Sequence, residues 1–256
     1  MAKKYQAPAA EKLLSIVELM ATQYRPYAVT EIASKLGITV NSAFRILKEL
    51  EEHEYVQKDP SSMAYRLTGK LYYLGSLVGA HMSFRSTASG YMDEIADLTG
   101  ETTLLAILDD HFNTIVIDQV VSKQMVKFIS TVGGTYPTNT SVLGKAMLSV
   151  LPEDRLAKFF SIYTLQKATE KSITDSRVLR EELASIRKIG YAVDDEESCI
   201  GIRCVGVPIV DERKILLGSL CISCPAYRLD KDNIAKAGQV LMHFADVIMR
   251  KIGAKG

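Results

Sequence analysis

The chain has 256 residues and a mass of 28.3 kDa, with 47% hydrophobic and 24% charged side chains. That balance suffices to bury a core and excludes wholesale disorder. Lys+Arg 31 against Asp+Glu 30 leaves a formal charge of +1, and residues 1–75 carry 10 basic and 8 acidic side chains. A nucleic-acid partner therefore has to be argued from a motif rather than from a basic footprint. No apolar stretch approaches the ~18 residues that cross a bilayer. The start MAKKYQAPAAEK reaches Glu11 and Lys12 before any apolar run, unlike a secretory signal. The expectation is a cytoplasmic protein with no membrane partner.

In chain order, Leu13, Leu14, Val17, Leu19 and Met20 form a helical stripe over 10–22, broken at Tyr24-Arg25-Pro26-Tyr27. Thr30 is placed to cap a short helix through Lys35 with Ile32, Ala33 and Leu36 inward. Gly37 suits the left-handed residue after a helix end. Thr39 is placed to cap a third helix whose predicted inward face is Val40, Ala43, Phe44, Leu47 and Leu50. Two short helices around a Gly-containing turn form a helix-turn-helix. The alternating runs 55–58 and 63–67, parted by Asp59-Pro60-Ser61-Ser62, predict a hairpin and hence a winged helix. Residues 70–82 read as a connecting helix, or as the first core helix of a second domain.

Beyond it, a helix is expected over 87–98 and strands over 102–108, 114–121 and 125–131. A loop over 133–140 leads to a short helix over 141–151. A charged amphipathic helix spans 175–189 and ends at Gly190. Strands are expected over 191–195, 204–210 and 215–223, then a final helix over 231–251. Irregular alternation with hairpins predicts an α+β fold with an antiparallel sheet.

On the third helix the outward residues are Asn41, Ser42, Arg45, Lys48 and Glu49. The first turns of such a helix meet base edges in the major groove. Arg45 can bind guanine and Asn41 adenine through two hydrogen bonds each, and Ser42 a phosphate or a base edge. Lys58 and Arg66 on the hairpin suit phosphates. Thr30 joins this DNA-binding set at the start of the second helix. The plainer alternative is a small helical domain with an ordinary solvated face.

The segment Thr138-Asn139-Thr140-Ser141-Val142-Leu143-Gly144-Lys145 opens a helix. Its backbone N–H groups suit a small anion, or simple capping. Gly144-Lys145 lacks the first glycine of a phosphate loop, because Asn139 stands there. Asp194-Asp195-Glu196-Glu197 is either a hard-cation cluster or a solvated charge run. Cys221 and Cys224, three apart in a strand, point to opposite faces. A zinc site would also need Cys199 and Cys204, so the four cysteines read as free thiols, the buried ones behaving as apolar side chains. His53, His81, His111 and His243 are scattered and form no triad. No catalytic residue, metal site or cofactor is expected.

The stretch TEIASKLGITVNSAFRILKELEEHEYVQKDPSSMAYRLTGKLYYLG resembles the DNA-binding half of the IclR family of bacterial transcription regulators. TGETTLLAILDD, PTNTSVLGKAML, the segment from SITDSRVL to GYAVDDEESCIGIRCVGVPIVD, and SLCISCPAYRL extend the resemblance in order over nearly the whole chain. It implies two domains of an α+β fold: an N-terminal winged helix-turn-helix (1–68), a linker helix (69–83), and a C-terminal GAF-like α/β effector-binding domain (84–256). It also implies a homodimer or homotetramer on a pseudo-palindromic double-stranded DNA operator, read as a repressor, with a small carboxylic acid as effector. The implied effector set is Ser141, Val142, Leu143, Gly144, Asp194, Cys204, Cys221 and Ser223, the acid being held by backbone N–H groups at Val142-Leu143. Here Cys221 stands where some relatives carry a hydroxyl and Cys224 where Gly is common, and a thiol is the weaker hydrogen-bond partner. These changes favour a less hydroxylated acid, and Val142 and Leu143 narrow the pocket. A thiol- or zinc-responsive regulator on the same scaffold is the alternative.

Overall fold

The computed structural model describes residues 7–23, 25–80 and 83–253. The chain divides between residues 81 and 82 into two compact units. Residues 81 and 82, which end the expected linker helix, lie outside the described residues.

The first unit packs α1 (Pro8–Gln23), α2 (Val29–Leu36) and α3 (Val40–Glu52) beside a hairpin of β1 (Val56–Lys58) and β2 (Tyr65–Leu67), then continues into α4 (Lys70–Ala80). Its core is Ile16 and Met20 of α1, Ile32 of α2, Ala43, Leu47 and Leu50 of α3, with Tyr27, Val56 and Tyr65. Local signals set the turn between the two helices. Gly37 sits at φ 63°, and the N–H groups of Gly37 and Ile38 return to Ser34 and Ala33. Thr39 Oγ1 accepts from the Ser42 N–H at 3.2 Å and starts α3. In the wing, Asp59 Oδ1 accepts from the Ser61 and Ser62 N–H groups and tightens the turn.

Two expectations need correction here. Ala28, not Thr30, is the N-cap of α2, with no side-chain cap; Thr30 is an exposed residue of the first turn. Val40 and Phe44 are not core, being 49% and 42% exposed. Helical period gives a side chain's direction, but α1, α2 and the hairpin cover only the stripe of Ala43, Leu47 and Leu50.

The second unit is built on a six-stranded antiparallel sheet, in the order β5 (Thr135–Tyr136), β4 (Thr114–Val120), β3 (Thr102–Leu108), β8 (Leu216–Pro225), β7 (Ile202–Val210) and β6 (Ala192–Asp195). Alternation along each strand makes two cores. Leu105, Val205, Leu220 and Ile222 meet α5 (Ser83–Thr99) and α9 (Lys231–Gly253) on one face. On the other, Leu104, Val116, Cys204 and Cys221 meet α6 (Val142–Ser149), α7 (Glu153–Ile162) and α8 (Ser176–Ile189). Asp175 caps α8 through the Arg177 and Val178 N–H groups, and Gly190 ends it at φ 92°.

The strand expected over 125–131 is absent, and β5 lies instead inside the expected loop. The carbonyls of Val126, Phe128 and Ser130 are taken by side chains rather than by a neighbouring strand. Phe128 O accepts from Thr102 Oγ1 at 2.7 Å, Ser130 O from Gln119 Nε2 at 2.9 Å, and Val126 O from Arg228 Nη2 at 2.9 Å. Met125, Val126 and Ile129 stay exposed, so apolar content there never translated into pairing. Helix α7 was not anticipated. Its signal is the acidic first turn Glu153-Asp154 after Pro152, with Leu156 and Phe159 buried one turn apart.

Candidate functional site

In the first unit, α3 presents Asn41 and Arg45 to solvent on one ridge, with Ser42 and Lys48 half-buried beside them. Lys48 Nζ lies 2.6 Å from Glu51 Oε2, so this cation is engaged within its own helix. On the wing, Arg66 Nη2 donates to Gln57 Oε1 at 3.1 Å, and Lys58 Nζ lies 5.6 Å from the centroid of the Tyr65 ring. A groove beside α3 is lined by Thr39, Asn41, Ser42, Arg45 and Glu49, and from α1 by Lys12. Lys12 was not foreseen; helical period marks it as solvent-facing without placing α1 against α3.

In the second unit a cavity of about 130 Å³ opens at the start of α6, between the sheet and the turn after β6. Of the effector set, Ser141, Val142, Leu143, Asp194, Cys204, Cys221 and Ser223 line it. Gly144 does not. A Cβ there would lie 2.3 Å from Thr138 O and 2.6 Å from Thr138 Cα, so Gly144 faces the preceding loop and lets it lie against α6. The first N–H groups of α6 have no intrahelical acceptor, and Ser141 supplies no side-chain cap. Plain capping therefore does not account for this helix start.

The polar end of the cavity is made by Asp194, 1% exposed. Its Oδ1 accepts from the Glu197 N–H at 2.7 Å, and its Oδ2 from the Ser198 hydroxyl. Burial pushes its carboxyl above the usual range, against these hydrogen bonds and the nearby Lys145. Cys204 Sγ donates to Ser223 Oγ at 3.1 Å. Burial pushes the Cys204 and Cys221 thiols up, so neither is a ready nucleophile. The remaining wall is apolar, with Leu104, Val116, Phe128, Ile202 and the Tyr136 ring among its members. These residues come from separate strands and loops, and only Leu104 and Val116 carried a signal, the alternation of their strands.

The acidic run is neither a cation cluster nor a solvated face. Glu197 pairs with the buried Lys145, Asp195 with Arg203, and Glu196 with Lys171 at 2.8 Å. Among the described residues no group of three or more His, Cys, Asp or Glu is arranged to hold a metal ion. Cys221 and Cys224 do face opposite cores, and all four cysteines are free, Cys199 alone exposed. Among the described residues no helix is long and apolar enough to cross a membrane.

Comparison with known proteins matches residues 9–60 to the IclR helix-turn-helix domain and residues 77–250 to the family described as bacterial transcriptional regulator IclR C-terminal. The HTH-type transcriptional regulator XynR of Escherichia coli is 28% identical over 96% of this chain and 97% of its own. The acetate operon repressor of Salmonella typhimurium is 28% identical over 97% and 91%. Among solved structures, the Thermotoga maritima IclR superposes with a TM-score of 0.76 at 34% identity, covering 95% of this chain and 98% of that one. An IclR homolog from Microbacterium hydrocarbonoxydans, complexed with 4-hydroxybenzoate, shares the fold with a TM-score of 0.81 at 20% identity over 96% and 99%. With a helix-turn-helix unit followed by an effector domain, both matched along their length, this chain belongs to the IclR family of bacterial transcriptional regulators.

Proposed function

We propose that this regulator is a cytoplasmic repressor that binds a pseudo-palindromic operator as a homodimer or homotetramer and responds to a small monocarboxylic acid with an apolar body. Residues 1–68 would bind DNA, 69–83 link the domains and 84–256 hold the effector. The DNA set is Thr30, Asn41, Ser42, Arg45, Lys48, Lys58 and Arg66. One observation carries the effector reading. The cavity pairs the uncapped start of α6 with largely apolar walls, and among the described residues no Lys, Arg or His lines it. A helix start favours an anion by about 0.3–1 kcal/mol, up to about 2 when partly buried, and so suits one carboxylate better than two. The buried Asp194 in the same lining disfavours a second negative charge.

The 4-hydroxybenzoate held by the Microbacterium homolog is an acid of this type and guides the choice of panel. The test is a thermal-shift screen of the full chain against benzoate, 4-hydroxybenzoate, short aliphatic monoacids and dicarboxylates. A ligand at a hundredfold excess over its Kd raises stability by about 2.7 kcal/mol. Stabilisation by monoacids, with altered operator affinity, is expected. A flat response to every acid would sink the reading.

A thiol-responsive regulator is the second reading, supported by Cys199, Cys204 and Cys221 all lining the cavity. Because burial pushes the Cys204 and Cys221 thiols up, this reading rests on the exposed Cys199. Operator affinity that changes on oxidation in the wild type but not in Cys199→Ser would favour it over the acid.

A further inference from the structure

The recognition helix carries two apolar side chains that its own domain leaves half-exposed. Ala43 and Leu47 are fully buried and Leu50 is nearly so, whereas Val40 is 49% and Phe44 42% exposed. Four residues apart, Val40 and Phe44 lie one above the other on the helix surface. Phe44 is also one turn from both Asn41 and Lys48, and next to Arg45. Because Thr39 caps α3, both residues fall in its first two turns, the part that meets base edges in a helix-turn-helix. A half-exposed phenyl ring beside the Asn41–Arg45 ridge lies outside that domain's core cluster. It is well placed only if the ridge docks on something with an apolar mark.

The major groove offers one such mark, the 5-methyl group of thymine, which apolar side chains contact directly. We infer that Phe44, backed by Val40, reads the methyl of a thymine neighbouring the base pair contacted by Asn41 or Arg45, once in each operator half-site. The ring supplies an apolar seat for the methyl, while Asn41 and Arg45 supply the polar contacts on either side. Val40, held at the helix start, packs along the same edge and limits where the ring can go. This inference rests on the DNA reading of α3 given above.

The experiment starts by selecting operators for the full chain from a random duplex library. Each thymine of the selected operator is then replaced singly by deoxyuridine, which removes the 5-methyl and leaves every hydrogen-bonding group in place. Binding of wild type, Phe44→Ala, Phe44→Leu and Val40→Ala is measured on each duplex. Wild type should lose about fourfold in affinity at one thymine per half-site, the effect of taking one methyl group out of an apolar contact. Phe44→Ala should bind the parent operator more weakly and be indifferent to that deoxyuridine, with part of the sensitivity restored in Phe44→Leu.

Deoxyuridine tolerated at every position by wild type, or sensed equally by Phe44→Ala, overturns the inference while leaving the DNA reading of α3 intact. A Phe44→Ala variant that changes self-association in sedimentation and keeps wild-type deoxyuridine sensitivity makes the face a protein contact, which also overturns it. Failure of wild type to enrich any sequence overturns the DNA reading itself, a different and separately visible result. Because Phe44 lies outside the core cluster, the variants should keep the wild-type melting temperature, which the same samples check.

Discussion

Lys145 Nζ lies 2.5 Å from Glu197 Oε1, in a position where the lysine side chain has no solvent exposure at all. The same ammonium donates to Val193 O at 2.7 Å and stands 3.5 Å from Glu182 of α8. Glu197 in turn donates its N–H to Asp194 at the polar end of the cavity. One buried cation thus fastens the cavity helix α6, strand β6 and the turn that carries Asp194.

Removing Lys145 leaves the buried Glu197 without its cation, whereas removing Glu197 leaves Lys145 with Glu182 and Val193 O. Lys145→Met should destabilise the second unit by about 3–5 kcal/mol, read from urea unfolding. Glu197→Gln should destabilise it less, and the double variant should lose less than the two single losses added together. Additive losses would show that the two side chains stabilise the turn independently.

Burial pushes the Glu197 carboxyl from an ordinary 4.5 to about 7, despite the opposing pull of Lys145. Between those values the native state binds more protons than the unfolded chain. Stability from this group is therefore complete below about pH 4.5 and is lost as pH rises through about 7. Melting temperatures between pH 5 and 8 should show wild type declining relative to Glu197→Gln. Parallel curves for the two proteins would place the titration elsewhere.

Arg45 stands exposed on the ridge of α3 with no ion-pair partner among the described residues. Arg45→Ala should lose discrimination at one base position per half-site, by about 1–3 kcal/mol. Lys58→Ala should instead weaken binding to all sequences alike and lower the salt dependence by about one phosphate contact. Selection experiments with each variant separate the two behaviours, and an unchanged consensus for Arg45→Ala would remove that residue from the reading set.

At the cavity, Asp194→Ala should blunt the stabilisation given by an acid while leaving operator binding without ligand nearly intact. Gly144→Ala tests the wall rather than the contact, because the new Cβ would collide with the Thr138 backbone. It should destabilise the second unit by about 1–3 kcal/mol, the usual effect of overpacking, and weaken acid binding as the loop is displaced. Full acid response in both variants, measured by thermal shift, would mean the ligand sits elsewhere.

The features the amino-acid order determined alone are those decided within a few residues. Thr39 and Asp175 cap their helices, Gly37 and Gly190 end theirs, and the Asp59-Pro60-Ser61-Ser62 turn parts the wing strands. Each is a hydrogen bond or a left-handed residue whose partner is nearby in the chain. Alternation likewise puts Cys221 and Cys224 on opposite faces of their strand. Tertiary structure decided what covers each face and what meets across the molecule. Val40 and Phe44 have core periodicity but stay 49% and 42% exposed. Residues 125–131 have strand composition but meet side chains of β3 and β4 instead of pairing as a strand. Gly144 sits in the cavity motif yet faces Thr138. Lys145 and Glu197 are 52 positions apart, and only the docking of α6 on the sheet makes them a pair. Period and composition specify a side chain's direction and its appetite for burial, while its neighbour is set by how the elements dock, which no local pattern encodes.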